Sequence, residues 1–307
     1  MITRRAAKLN PRGNVSTITL MPVAPLQAKF TLNDLRAARR TGAKIPMLTC
    51  YDFTTARLMQ EAGVPALLVG DSAANVILGH DSTLPVSLAF MIEIAAAVRR
   101  GAPRALLIAD LPFGSYQASA AQGVRSACRM IKQSGCDCVK LEAGPGSVEL
   151  VRRLAGAGVA TVAHLGLRPQ SVGLLGGYRF QGRTAPEAQD IVALALQMEL
   201  AGAAAILLEA VPPEVAKAVV EQTRVPIIGC GAGPECHSCV IVTQDGLGMT
   251  PRPPKFVPQL GDLAGPLKQA FAAYASAVMS GQYPAAEHNY AMPPEELAKF
   301  RSSAGLK

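Results

Sequence analysis

Five short apolar runs in this 307-residue chain each end on a side chain that can carry charge. Leu67-Leu68-Val69-Gly70 runs into Asp71 and Ser72, and Leu106-Leu107-Ile108-Ala109 into Asp110. The next run ends on Lys140 and Glu142, the one after it on His164, and Ile206-Leu207-Leu208 on Glu209. A charge at the end of such a run is costly unless it reaches solvent, a partner or an ion. Lys140 and Glu142 are two apart, so on a strand they point to the same face. Carboxylates that share a cavity repel one another, and a hard cation with oxygen ligands relieves that repulsion. Mg²⁺ fits, because it takes a few carboxylates plus waters and substrate oxygens. With four histidines in the chain and no cluster of them, Zn²⁺ fits less well. Taken singly, each Asp could equally be a helix cap or a loop acceptor. Five in succession point to a site. His164 alone reads as a structural histidine and is kept only as a candidate substrate contact.

The elements that position these residues follow from periodicity. Strand-like runs are expected at Ile45–Cys50, Ala66–Gly70, Ala105–Asp110, Asp137–Glu142, Ala160–His164, Ala203–Glu209, Val225–Cys230 and Cys239–Thr243. Amphipathic helices lie between most of them. Thr31 with Asp34 and Thr184 with Glu187 form capping boxes, Ser87 starts another helix, and Gly42, Gly101 and Gly135 are stops. The connection Gly231–Ser238 is too short for a full helix. Eight strands alternating with helices imply an α/β chain folded as a (β/α)₈ TIM barrel, whose chemistry sits at the strand C-termini. A dinucleotide-binding sheet would need a G-x-G-x-x-G turn after the first strand, where Cys50-Tyr51-Asp52-Phe53 stands instead. The domain reading is a basic extension over 1–28, one barrel over 29–290 and a polar tail over 291–307.

Charge narrows the partners. Residues 1–44 carry nine of the thirty Lys/Arg and one of the twenty-two acids, which leaves twenty-one of each for the rest. A nucleic-acid enzyme carries its basic stripe on the folded domain and aromatic platforms beside it. This chain is neutral after residue 44 and has no Trp, so no nucleic-acid partner is expected. No apolar run reaches the ~20 residues of a membrane span. Seven cysteines without a secretory signal fit a reducing compartment. The location expected is the cytoplasm, or the mitochondrial matrix if the acid-free, Arg-rich residues 1–28 are a transit peptide. Cys236-x-x-Cys239 lacks a second pair, and His237 between the two is badly placed to share an ion, so it is a weak zinc signal.

Longer stretches make the chain recognisable: MLTCYDFTTARLM at Met47–Met59, LLVGDS at Leu67–Ser72, GHDSTLPV at Gly79–Val86 and AVRRGAPRALLIADLPFGSY at Ala97–Tyr116. VKLEAG at Val139–Gly144, AHLGLRPQSVGLLGGYRFQGR at Ala163–Arg183, LLEAVP at Leu207–Pro212 and IIGCGAG at Ile227–Gly233 follow. Over about residues 30–290 the sequence resembles the ketopantoate hydroxymethyltransferase family. The resemblance implies a barrel of the phosphoenolpyruvate/pyruvate type, assembled as a homodecamer in many bacterial members. It implies transfer of a hydroxymethyl group from 5,10-methylenetetrahydrofolate to C3 of 3-methyl-2-oxobutanoate through a Mg²⁺-stabilised enolate, a step of pantothenate synthesis. Carried onto this chain, Asp71, Asp110 and Glu142 hold the metal. Asp71, Ser72, Asp110 and Lys140 bind the keto acid, and Glu209 is the general base.

Elementary chemistry agrees with that division. A keto acid chelates a metal through a carboxylate oxygen and its ketone oxygen, and a Lewis acid then stabilises the enolate left when C3 loses its proton. Lys140 adds positive charge beside the oxyanion, and a partly buried Glu209 suits proton abstraction. The loops Gly79–Val86 and Gly166–Arg183 are long enough to serve as lids or folate contacts. Two segments depart from the family pattern: Ala73-Ala74-Asn75 replaces a Leu-Gly-Met type segment, and His237-Ser238-Cys239 stands where Asp-Gly-Gln is common. The Lys-Lys-Cys-Gly-His type loop of lyases on this barrel is absent, since Ala143-Gly144-Pro145-Gly146 follows Glu142. A catalytically dead keto-acid sensor would have lost the base or a metal ligand, and none is missing.

Overall fold

A computed structural model describes residues 23–304; most of the basic extension, residues 1–22, lies outside the described residues. The chain opens with α1 (Leu32–Thr41), β1 (Ile45–Thr49), α2 (Phe53–Glu61), β2 (Ala66–Val69), α3 (Ala73–Val76) and α4 (Leu88–Gly101). It continues through β3 (Leu106–Asp110), α5 (Ala120–Ser134), β4 (Cys138–Glu142), α6 (Val148–Gly156) and β5 (Thr161–Gly166). Then come α7 (Val172–Leu175), α8 (Ala185–Leu200), β6 (Ala205–Glu209), α9 (Pro213–Gln222), β7 (Ile227–Cys230) and β8 (Ser238–Ile241). Short α10 (Thr243–Gly246), α11 (Ala264–Met279) and α12 (Pro294–Ala304) end it. All eight strands pair in parallel, and β8 returns to β1 to close the barrel. The expected tail after residue 291 holds a helix, α12.

Local signals in the sequence set the helix ends. The capping box of Thr31 with Asp34 starts α1, and Gly42, at φ 75°, ends it in the left-handed conformation that glycine takes without strain. Ser87, Ser119 and Thr184 each accept a backbone N–H at the starts of α4, α5 and α8, each worth about 1 kcal/mol. No helix forms between β7 and β8, as the short connection requires. His237 does the joining instead: its N–H donates to Ile227 O, its carbonyl accepts from Ile45 N, and its Nδ1 accepts from Ile227 N at 2.9 Å.

Strand alternation sorts the side chains into two cores. Leu67, Val69, Leu107, Leu141, Leu165 and Leu208 point outward and pack under the helices with Met91, Met130, Leu154 and Met198. Met47, Leu68, Ile108, Cys138, Val162, Leu207, Ile228 and Val240 point inward and fill the lumen, and Leu35 of α1 packs onto the same cluster. One inward position toward the C-terminal end of the strands lies directly above this apolar plug. There the residue types change to Thr49, Asp110, Lys140, His164, Glu209 and Cys230.

Candidate active site

Asp71, Ser72, Asp110, Lys140, His164 and Glu209 line one cavity of about 1200 Å³ above the apolar plug. The turn after β2 supplies the first two. Gly70 occupies the last inward position of that run, where a Cβ would lie 2.6 Å from Ser72 Oγ. Only a glycine leaves the hydroxyl room to meet Tyr51 Oη at 2.8 Å.

Asp110 organises the floor. Its Oδ2 accepts from the Asp71 backbone N–H at 3.0 Å and lies 3.0 Å from Lys140 Nζ. Its Oδ1 is buried without a hydrogen-bond partner. Burial raises the Asp110 carboxyl above its ordinary range, against the pull of Lys140 and with the help of the Asp71 charge. Burial would lower the Lys140 ammonium, but Asp110 and Asp71 overcome it and hold it above its usual value.

His164 is more than the minor contact its lone position suggests. Lys140 Nζ lies 3.2 Å from its Nδ1. An ammonium has only donors, so Nδ1 accepts and the neutral ring carries its proton on Nε2. That nitrogen is 3.2 Å from Glu209 Oε2, although off the line of a good hydrogen bond. Burial, reinforced by Lys140, pushes the imidazole pKa down. Glu209 itself ends β6, and the next residue, Ala210, has φ 48°, a left-handed conformation unusual for alanine. Gly166 makes the close pass beside it possible, since a Cβ there would meet Glu209 O at 2.3 Å.

Glu142 is placed differently. It lines an adjoining cavity of about 520 Å³ with Tyr116, Arg168 and Gln170. Its Oε1 accepts from Gln170 N at 2.7 Å and its Oε2 from Ser171 Oγ at 3.3 Å. Burial pushes it up to about 8, offset in part by the Gln170 N–H. Gln170 stands between Glu142 and the floor. Its Nε2 donates to Asp71 Oδ2 at 2.8 Å and Leu111 O at 3.0 Å, and its Oε1 accepts from Tyr116 Oη at 2.7 Å and Gln117 Nε2 at 3.1 Å. Tyr116 Oη in turn accepts from the Glu142 N–H. A neutral amide inside a loop carries no signal in the sequence, and this hub is visible only in three dimensions.

The donor set suits a hard cation in one respect and limits it in another. The unpartnered Asp110 Oδ1, beside Asp71, is an oxygen ligand without an occupation in the protein. Among the described residues no three His, Cys, Asp or Glu side chains converge closely enough to hold an ion by themselves. Two carboxylates with the remaining positions left to water and substrate oxygens match Mg²⁺. In the Cys236-x-x-Cys239 pair, Cys236 is buried against Gly229, Cys239 is exposed, and His237 Nδ1 is already taken by Ile227.

A closed parallel barrel with a ring of ionisable groups over its lumen defines a (β/α)₈ enzyme with its site at the strand C-termini. Two solved structures share that fold. They are 2,3-dimethylmalate lyase, a PEP mutase/isocitrate lyase superfamily member (TM-score 0.55, 17% identity, 89% of this chain and 99% of that one), and phosphonopyruvate hydrolase (TM-score 0.55, 15% identity, 89% and 95%). Sequence is more specific. Residues 29–286 match the family model of ketopantoate hydroxymethyltransferase. The 3-methyl-2-oxobutanoate hydroxymethyltransferase of Thermobifida fusca is 47% identical over 86% of this chain and 94% of its own length. That of Frankia casuarinae is 47% identical over 88% and 91%. The chain belongs to the ketopantoate hydroxymethyltransferase family and is a transferase.

Proposed function

We propose that this enzyme transfers a hydroxymethyl group from 5,10-methylenetetrahydrofolate to C3 of 3-methyl-2-oxobutanoate, giving 2-dehydropantoate for pantothenate synthesis. The observation that carries the reading is the floor of the cavity, where Asp110 ties together Asp71 and Lys140 and keeps one oxygen free. Asp71 and Asp110 would hold Mg²⁺ directly, and Glu142, set behind Gln170 with both oxygens hydrogen-bonded, would act on it through water and not as a third direct ligand. When bound, the ion supplies Lewis-acid polarisation of the keto acid's carbonyl.

The chain's own groups account for the rest. Lys140, kept cationic by Asp110 and Asp71, faces the oxygen on which negative charge develops. Ser72, its hydroxyl set by Tyr51, binds the carboxylate end. Glu209 takes the C3 proton, with His164 Nε2 lying 3.2 Å from its Oε2. The donor's methylene–N10 bond opens, the enolate carbon bonds to the methylene carbon, and water then displaces N5 from it, so that tetrahydrofolate leaves with the C3 proton and one water proton on its two nitrogens. The chain works as a homo-oligomer.

Glu209→Gln tests the assignment of the base. It should keep keto acid and Mg²⁺ binding while C3 proton exchange in D₂O, measured without folate, falls by at least about a hundredfold. Exchange at the parental rate would remove Glu209 from that role.

A further inference from the structure

The cavity exceeds what one small keto acid needs. At about 1200 Å³ it is larger than the ~300–1,000 Å³ that encloses a drug-sized ligand, while 3-methyl-2-oxobutanoate has only eight non-hydrogen atoms. Its floor carries Asp71, Asp110 and Glu209, and its outer lining combines two further acids, Asp81 and Asp245, with two cations on one segment. Arg252 and Lys255, on the Pro-rich segment 250–257 that follows β8 and α10, line the cavity and are exposed. Among the described residues neither takes part in an ion pair. Lys140, the other cation lining this cavity, is committed to Asp110.

The same segment is anchored in a definite position. Phe256 packs on the α-carbon of Gly231, where a Cβ would lie 2.5 Å from the ring, so the end of β7 seats the loop that carries both cations. Tyr178 and Phe180, from the loop between α7 and α8, line the same cavity, and the Arg183 guanidinium lies 4.7 Å from the centroid of Phe180. Tyr178, Phe180 and Phe256 are 53%, 54% and 38% exposed, so part of each ring has no protein partner.

We propose that this rim is the binding site of the reduced-folate donor: the aromatic side chains receive the pteridine and aminobenzoyl rings, and Arg252 with Lys255 receives the glutamate carboxylates. The inference rests on the reading above that a reduced folate brings the carbon. Flat heteroaromatic rings gain from partly exposed aromatic faces, and carboxylates from cations that no acid already neutralises. The acidic floor fixes the orientation. It repels the glutamate end, so the tail lies outward on Arg252 and Lys255 and the one-carbon end points inward to C3.

The test is steady-state kinetics on Arg252→Gln/Lys255→Gln with mono- and triglutamyl donors, alongside folate-free C3 exchange in D₂O. The expected result is a KM for the triglutamyl donor raised about tenfold, a smaller rise for the monoglutamyl form, and a keto-acid KM within twofold of the parent. The single variants Arg252→Gln and Lys255→Gln, each raising the donor KM about threefold, give the same decision should the double variant fold poorly. Donor KM values within twofold of the parent in the double and single variants would overturn the proposal. A parent that exchanges C3 protons yet uses no folate donor would instead defeat the underlying reading, and the rim assignment with it.

Discussion

Gln170 has all four of its amide hydrogen-bonding positions filled, and two of its partners tie it to candidate metal-binding carboxylates: its Nε2 holds Asp71, and through Tyr116 its Oε1 reaches the Glu142 backbone. Residues that orient ligating carboxylates typically change metal affinity by about 10–100-fold when lost. Gln170→Met keeps the volume and removes the bonds, so the Mg²⁺ concentration that half-saturates C3 exchange should rise at least about tenfold. Half-saturation within twofold of the parent, in a variant that unfolds at the parental temperature, would remove Gln170 as a positioning residue. Asp71, Asp110, Lys140 and Glu209 were legible in the sequence because a charge closing an apolar run is conspicuous. Gln170 was not, because an uncharged side chain in a loop gives no such contrast. His164 was underestimated for a related reason: its meaning lies in partners 24 and 45 residues away along the chain, Lys140 and Glu209.

At the scale of elements, the alternation of apolar residues and the caps of α1, α4, α5 and α8 marked the barrel in advance. The β7–β8 junction was legible only as a helix too short to form, and what replaces the helix is His237. Burial, reinforced by the nearby positive charges of Arg39 and Lys44, pushes its pKa down to about 4. The folded pKa lies below the unfolded value near 6.5, so between those limits the unfolded chain binds more protons. Stability from this group is complete above about pH 6.5 and is lost as pH falls toward 4, by about 2 kcal/mol at pH 5. Asn at this position keeps an acceptor for the Ile227 N–H and cannot titrate. Denaturant unfolding of the parent and of His237→Asn at pH 7.5 and 5 should show the parent losing about 2 kcal/mol more than the variant. Equal losses would mean that His237 is not the group that titrates.

For the whole molecule, the ring of helices is incomplete among the described residues. Helix neighbours run from α2 through α4, α5, α6 and α8 to α9. Outside β8 and β1, Pro46 and Cys239 are left exposed. Meanwhile α11 buries no residue against the described residues of its own chain, and Phe271, Tyr274 and Met279 are 67%, 62% and 88% exposed. An apolar stripe of that kind on a 16-residue helix has no rationale in an isolated subunit. Burying each such side chain contributes about 1.5–3 kcal/mol, and another copy of the chain offers both a matching stripe and an uncovered barrel flank. Single-sequence reasoning could anticipate the helix but not that it would stand apart, because its apolar residues look the same whether they meet their own barrel or a second one. The expectation is that the parent sediments as a multiple of the protomer mass. Phe271→Glu/Met279→Glu should shift it to smaller species without loss of helical signal, since both positions are exposed in the single chain. A parent that sediments as a monomer, or a double variant that assembles as the parent does, would show that α11 is not the assembly surface.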